Sequence, residues 1–226
     1  MSQRAMVAIG IAVALTFATA SGAEIKKAVG SIELTDPAGD VKPISTNEGS
    51  VPGLDVVKLS LASDGKQLRI GATLKDPPGA FASDVVELYF DTDNNPKTGA
   101  KVMVVFDELP GFEFRSKLNA CAKYTNGGSA CSGAVGDKVK VHYATISLDR
   151  FTGANESNTE KVVDAMGFPG HKASAEVPFD GKLVEGTLAY ADLGVKPGQT
   201  IRILVRESCA KLDLSSFFPE IQLTLK

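Results

Sequence analysis

Apolar and polar residues alternate with period two along much of this chain, most clearly between Val85 and Asp91. There Val86, Leu88 and Phe90 point one way and Glu87, Tyr89 and Asp91 the other, which is the pattern of a half-buried strand. The same pattern predicts strands at Ser31–Thr35, Val56–Leu61, Gln67–Leu74, Gly111–Leu118, Lys138–Leu148, Ala173–Phe179, Ile201–Arg206 and Glu220–Leu225. Asp64-Gly65 between two alternating runs is a hairpin signal. Lys101–Phe106 reads as the return strand of a second hairpin whose outgoing strand is Val85–Phe90. Residues 149–172 lose the alternation and are expected as loop, with one or two helical turns at Glu160–Met166. Short strands at this spacing predict an all-β fold: a two-sheet antiparallel β-sandwich, jelly-roll or immunoglobulin-like, with a little helix around 149–172. The 22 Gly and 11 Pro are spread between the apolar runs and no repeat is evident, so residues 24–226 are expected to form one domain.

The strand at Val85 runs straight into an acidic turn, D-T-D-N-N-P-K-T-G. Asp91, Asp93 and Asn95 offer side-chain oxygens at every second position, and Ca²⁺ collects roughly six to eight oxygens at about 2.3–2.6 Å. The turn is therefore a candidate calcium loop. It is not an EF-hand, because Pro96 and Lys97 stand where that loop carries its Gly, and Val102 occupies the twelfth position in place of Glu. A solvated turn rich in Asp, Asn, Pro and Gly is the other reading. One turn cannot enclose an ion, so the remaining ligands are expected from the backbone near Lys97 and Thr98 and from a distant carboxylate. Asp36, Asp40 and Asp55 are the candidates, Asp36 and Asp40 foremost because the Pro37-Ala38-Gly39 turn can aim both at one point. Asp107 would be carried to the opposite end of the hairpin.

Ahead of the strands, Met1 to Ala23 carries a single charge, Arg4, and then an apolar run too short to span about 30 Å of hydrocarbon. It ends in Ser21-Gly22-Ala23 and reads as a cleaved signal peptide, 1–23, with Ala18-Thr19-Ala20 as an alternative cut. A periplasmic or secreted location is expected, with no transmembrane segment after cleavage. Cleavage takes the formal net charge from −3 to −4 by removing Arg4, and a mildly acidic chain without a Lys/Arg cluster argues against nucleic-acid binding. Export permits disulfides. Cys121 and Cys131 bracket a flexible nine-residue segment and form the natural pair, while Cys209 reads as a buried thiol or as a partner of one of the other two.

Four stretches then carry a family resemblance: D-P-A-G-D, G-L-D-V-V-K-L-S-L-A-S-D-G-K-Q-L-R-I, V-E-L-Y-F-D-T-D-N-N-P-K-T-G and A-D-L-G-V-K-P-G-Q-T-I-R-I-L-V. Together they resemble the family 9 carbohydrate-binding-module-like, or DOMON-like, β-sandwiches of secreted bacterial proteins, over most of the chain from Ser31 on. The resemblance implies two packed antiparallel sheets, commonly with structural calcium, and members that bind sugars or haem. It matches Asp91 and Asp93 to the acidic strand end, and Asp36, Asp40 and Asp55 to the leading acidic positions.

Sugar modules of this kind grip a pyranose between aromatic faces, mostly Trp, and this chain has no Trp. Tyr89, Tyr124, Phe112 and Phe114 are the candidate substitutes, with Tyr143, Tyr190 and Phe217 also available, although an aromatic at strand spacing is more often core. Haem would need axial ligands, for which Met103, Met166, His142 and His171 are the candidates. No Gly-x-Ser-x-Gly, His-Glu-x-x-His or phosphate-cradling Gly loop is present, so no catalysis is expected. The chain reads as an exported, calcium-stabilised binding module for a glycan. The alternatives are an envelope protein with structural calcium alone and a haem-binding domain; the oligomeric state is not legible.

Overall fold

The computed structural model describes residues 25–36, 55–78, 84–104, 107–207 and 220–226. The N-terminal apolar run, Asp40, Cys209 and Phe217 lie outside the described residues. The first strands in chain order are β1 (Lys26–Val29), β2 (Ser31–Thr35), β3 (Val56–Ser63), β4 (Gln67–Leu74), β5 (Asp84–Asp91), β6 (Ala100–Val104) and β7 (Asp107–Phe112). There follow β8 (Phe114–Tyr124), β9 (Val139–Phe151), β10 (Thr159–Asp164), β11 (Lys172–Ala173), β12 (Val177–Phe179), β13 (Leu183–Ala189), β14 (Thr200–Glu207) and β15 (Ile221–Thr224). Among the described residues, helix is confined to a 3₁₀ turn at Ala130–Ser132 and the single turn α1 (Tyr190–Leu193).

These strands build an all-β sandwich. A nine-stranded sheet runs β1-β15-β14-β5-β8-β9-β10-β11 with β12 also paired to β9, and it faces a four-stranded sheet of order β13-β4-β3-β2. The main core lies between them. Alternation supplies it from both sides: Leu59 and Leu61, Leu68 and Ile70, and Val184 and Leu188 from the smaller sheet meet Leu88, Phe90, Leu118, Ile146, Leu148, Ile201 and Ile203 from the larger. Fully burying side chains of this size is worth roughly 1.5–3 kcal/mol each. Gly186 of β13 lies directly against the large sheet, where a Cβ would meet Leu118 Cδ1 at 2.9 Å and Ile146 Cβ at 3.1 Å, so a side chain there would force these neighbours to shift.

The most consequential correction concerns the second hairpin. β5 pairs with β14 and β8, not with the strand that follows it. β6 pairs with β7 in a separate two-stranded sheet, which lies on the outer face of the large one. That placement follows from a second apolar cluster, in which Ala100, Val102 and Phe112 cover Tyr89, Phe151 and Leu204. β5 is therefore buried on both faces: Phe90 in the main core and Tyr89 beneath the hairpin, each 0% exposed.

Three smaller differences follow from pairing. Glu160–Met166, expected as helix, is mostly β10: its adjacent β-branched Val162 and Val163 suit a strand, and β9 runs on to Phe151 to supply a partner. Ala173–Phe179 divides into β11, parallel to β10, and β12, antiparallel to β9. Parallel pairing recurs at the other edge between β1 and β15, so the large sheet is mixed and not purely antiparallel. The Asp64-Gly65 hairpin joins β3 to β4 as expected.

Candidate metal centre

β5 carries Asp91 out of the sheet at its last position, and the chain then turns through Thr92–Gly99 before entering β6. The turn is held by its own side chains. Asn95 N–H donates to Asp91 Oδ1 and Asp93 Oδ1, both at 3.0 Å, and Lys97 N–H donates to Asn95 Oδ1 at 3.1 Å. Thr98 Oγ1 lies 3.0 Å from each Asp93 oxygen and 2.8 Å from Asn95 O. Asn94 takes the left-handed conformation with φ 52°, which Asn tolerates better than most residues.

A third carboxylate arrives from the far side of the hairpin. Glu113 lies between β7 and β8, where its N–H donates to Phe90 O at 2.9 Å. Its Oε2 accepts from Thr92 N–H at 2.7 Å and its Oε1 lies 3.3 Å from Thr98 Oγ1. Gly99 makes the approach possible: its φ is 68°, and a Cβ there would come within 2.4 Å of Phe112 O and 2.7 Å of Glu113 Oε1. One carboxylate oxygen from each of Asp91, Asp93 and Glu113 lies within 4.8 Å of the others.

One guanidinium stands against the group. Arg202 Nε on β14 donates to Asp91 Oδ2 at 2.9 Å, and the same side chain also reaches Pro110 O at 2.6 Å and stands 3.6 Å from Glu220. Burial pushes the Asp91 carboxyl up, and the Asn95 N–H and Arg202 offset this only in part. Glu113 is also raised, by burial first and then by the charges of Asp91 and Asp93 against the bond from Thr92. Asp91 and Glu113 thus resist ionisation here, which a bound cation would relieve.

The predicted ligands divide. Asp91 and Asp93 converge as expected, while Asn95 lies in the turn but spends its side-chain oxygen on Lys97 N–H. Asp36 and Asp55 belong to the four-stranded sheet, where Asp36 N–H bonds Val57 O and the Asp55 carboxylate lies 3.8 Å from Lys75 Nζ; neither joins the three. The distant acid is Glu113. Asp107 is indeed remote, since it pairs with Val104 at the far end of the β6–β7 hairpin while Ala100 and Phe112 close the near end.

The aromatic candidates are corrected in the same way. Tyr89 and Phe112 are 0% exposed, Phe114 5% and Tyr124 7%, so none offers a face to a sugar ring. Tyr89 stacks on Phe151 and meets Phe112 edge-on, with centroids 6.3 and 6.0 Å away, and these rings are core. Of the haem candidates, His142 packs on Phe179 at 5.9 Å and His171 Nδ1 lies 3.6 Å from Asp164, while Met103 and Met166 are exposed. The cysteine pairing is geometrically met, with Cys121 and Cys131 Cα atoms 5.3 Å apart, inside the range a bridge permits. No helix among the described residues is long and apolar enough to cross a membrane.

The donors fit a hard cation in kind. Three carboxylates, with Thr98 Oγ1 and Asn95 O beside them, are the oxygen ligands that Ca²⁺ takes. No protein-family model, curated protein or solved structure matches the chain.

Proposed function

We propose that the protein is an exported, non-catalytic β-sandwich binding module whose Asp91, Asp93 and Glu113 hold a structural calcium ion. The convergence of three carboxylates from two segments 20 residues apart, with a guanidinium on Asp91 alone, carries this reading. A bound ion would supply the opposing charge and tie the end of β5 to the β7–β8 junction. That tie would also fix the hairpin over Tyr89. A turn held by hydrogen bonds alone is the competing reading, favoured by the donors that Asn95 and Thr98 already bring to Asp93. Recognition of a neutral sugar by stacking has no support from Tyr89, Tyr124, Phe112 or Phe114, since all four are buried.

Thermal unfolding of the mature protein in calcium and in chelator separates the two readings. A site filled at a hundred times its Kd adds about 2.7 kcal/mol, so calcium raises Tm in the native sequence and not in Glu113→Gln. Superimposable curves with and without chelator would leave the turn as a turn.

A further inference from the structure

The connection from β8 to β9 is drawn together at two places. Cys121 of β8 meets Cys131 with Cα atoms 5.3 Å apart, and past the end of β8 the two arms touch in an isolated bridge between Gly127 and Gly136. Flanking groups reinforce that bridge. Asn126 Nδ2 donates to Asp137 Oδ2 at 3.0 Å, and Thr125 N–H donates to Lys138 O at 2.9 Å. Asn126, Gly127 and Asp137 are all exposed, and Asn126 lies in a bend outside the β8 ladder.

Asparagine is thermally labile, because the backbone nitrogen of the next residue can attack its side-chain carbonyl carbon. A side chain on that next residue obstructs the attack, and glycine has none. Asn126 is the only Asn in the sequence that precedes Gly; the others precede Glu, Asn, Pro, Ala or Thr. The fold itself demands glycine at this place. Gly127 has φ 150°, and a Cβ there would lie 2.3 Å from Val135 O and 2.7 Å from Gly136 Cα. The residue that leaves Asn126 open to attack is therefore the one that lets the two arms meet. Asn119, by contrast, is buried within β8.

We propose that Asn126 is a self-modifying site that deamidates through a succinimide without an enzyme. The Gly127 nitrogen gives up its proton to hydroxide and bonds to Asn126 Cγ, the Cγ–Nδ2 bond breaks, and ammonia leaves. Water then opens the ring. Breaking the new Cγ–N bond gives aspartate, and breaking the original peptide bond gives isoaspartate with an extra methylene in the main chain. One water is consumed, one ammonia is released and no electrons are exchanged. Either product sets a carboxylate where a donor stood, so Asp137 faces a like charge in place of its hydrogen bond. The bridge between Gly127 and Gly136 loosens, while the Cys121–Cys131 pairing limits how far the loop opens. Ala130 and Cys131 of this loop also line a cavity of about 380 Å³ over β8–β10, so the change leaves one wall of that cavity less firmly held. The inference depends on neither the calcium ion nor the binding-module reading.

The test is incubation of the mature protein in warm, mildly alkaline buffer, followed by peptide mapping with electron-transfer fragmentation. A synthetic peptide of residues 123–130 serves as the unfolded reference. Asn126 converts to a mixture of aspartate and isoaspartate, ammonia appears in step, and Asn119, Asn155 and Asn158 remain amides over the same period. Conversion speeds up with pH, because Gly127 must lose its proton, and it stops in Asn126→Gln, whose longer side chain would need a larger ring. Asn126→Asp, which installs one product directly, is cut several-fold faster within residues 125–137 in limited proteolysis, and adding Asp137→Asn to it restores the native rate. Asn126 still an amide once the reference peptide has fully converted overturns the proposal. So does conversion to aspartate without isoaspartate, which is direct hydrolysis and not ring closure. Proteolysis of Asn126→Asp at the native rate overturns the loosening of the loop.

Discussion

Two groups of carboxylates sit on the same outer face of the large sheet and are treated in opposite ways. At the end of β5, Asp91, Asp93 and Glu113 crowd together, and Arg202, the cation on Asp91, also stands 3.6 Å from Glu220. Over β8–β10, Asp149 and Asp164 each have a cation at 2.9 Å. The consequence shows in their protonation. Burial and neighbouring negative charge hold Asp91 and Glu113 above the usual carboxylate range. Burial alone would raise Asp164 as well, but Lys161 and the Met166 N–H outweigh it and hold the group below that range. A carboxylate with its own cation is complete. Three clustered carboxylates with a guanidinium on one of them lack positive charge, and that is the condition a metal ion would satisfy.

Removing the shared cation should have the largest effect. Arg202→Ala leaves the fully buried Asp91 facing Asp93 and Glu113 alone, and breaking a buried pair in this way costs about 3–5 kcal/mol. Denaturant unfolding in chelator reads that loss, and calcium should restore part of it. A variant equally destabilised with and without calcium would break the contrast between the two regions.

Reduction of Cys121–Cys131 should come next. Opening so short a loop costs roughly 2–3 kcal/mol in the chain-entropy model, and mass spectrometry of the unreduced mature protein should find Cys209 as the single free thiol. Three free thiols would refute the pairing.

Asp164→Asn should cost less, on the order of 1 kcal/mol, because Lys161 is 41% exposed and water screens the pair. The pH dependence has a definite sign. The native carboxyl is lowered, so its contribution is present above the unfolded value of about 3.9 and is lost as pH falls through the lower native value. The gap between native sequence and variant should therefore close below about pH 4. Glu113 should behave inversely in chelator. Its native carboxyl is raised, so stability is full below the unfolded value of about 4.3 and declines as pH rises through the native value. Acidifying from neutral should then raise Tm by a small amount in the native sequence and less in Glu113→Gln. Slopes of the same sign at Asp164 and Glu113 would erase the comparison.

Much of the scaffold was legible because alternation is a direct image of the pleat. β2 and β4 coincide with the predicted Ser31–Thr35 and Gln67–Leu74, and Val86, Leu88 and Phe90 face the core as their spacing required. Asp91 and Asp93 were legible for the same reason, standing where an alternating strand meets a turn. Glu113 was not. Phe112-Glu113-Phe114 reads as one continuous strand, with both rings on one face. In the fold the chain changes sheets there, so Phe112 enters the outer cluster and Phe114 the main core. The local signal available was Gly111 just before the switch, with φ 97°. Alternation also cannot say whether an outward face is covered, which is why Tyr89 and Phe112 looked available to a ligand. The polar region over β8–β10 was illegible because its residues come from three separate strands, and only register brings them together.

Calcium titration calorimetry on the mature, chelator-treated protein tests the central claim most directly. The account predicts one calcium per chain, abolished or weakened at least about tenfold in Glu113→Gln, and unchanged in Asp149→Asn, whose carboxylate already has its cation. No binding heat from the native sequence, or calcium binding that Glu113→Gln leaves intact, would contradict it.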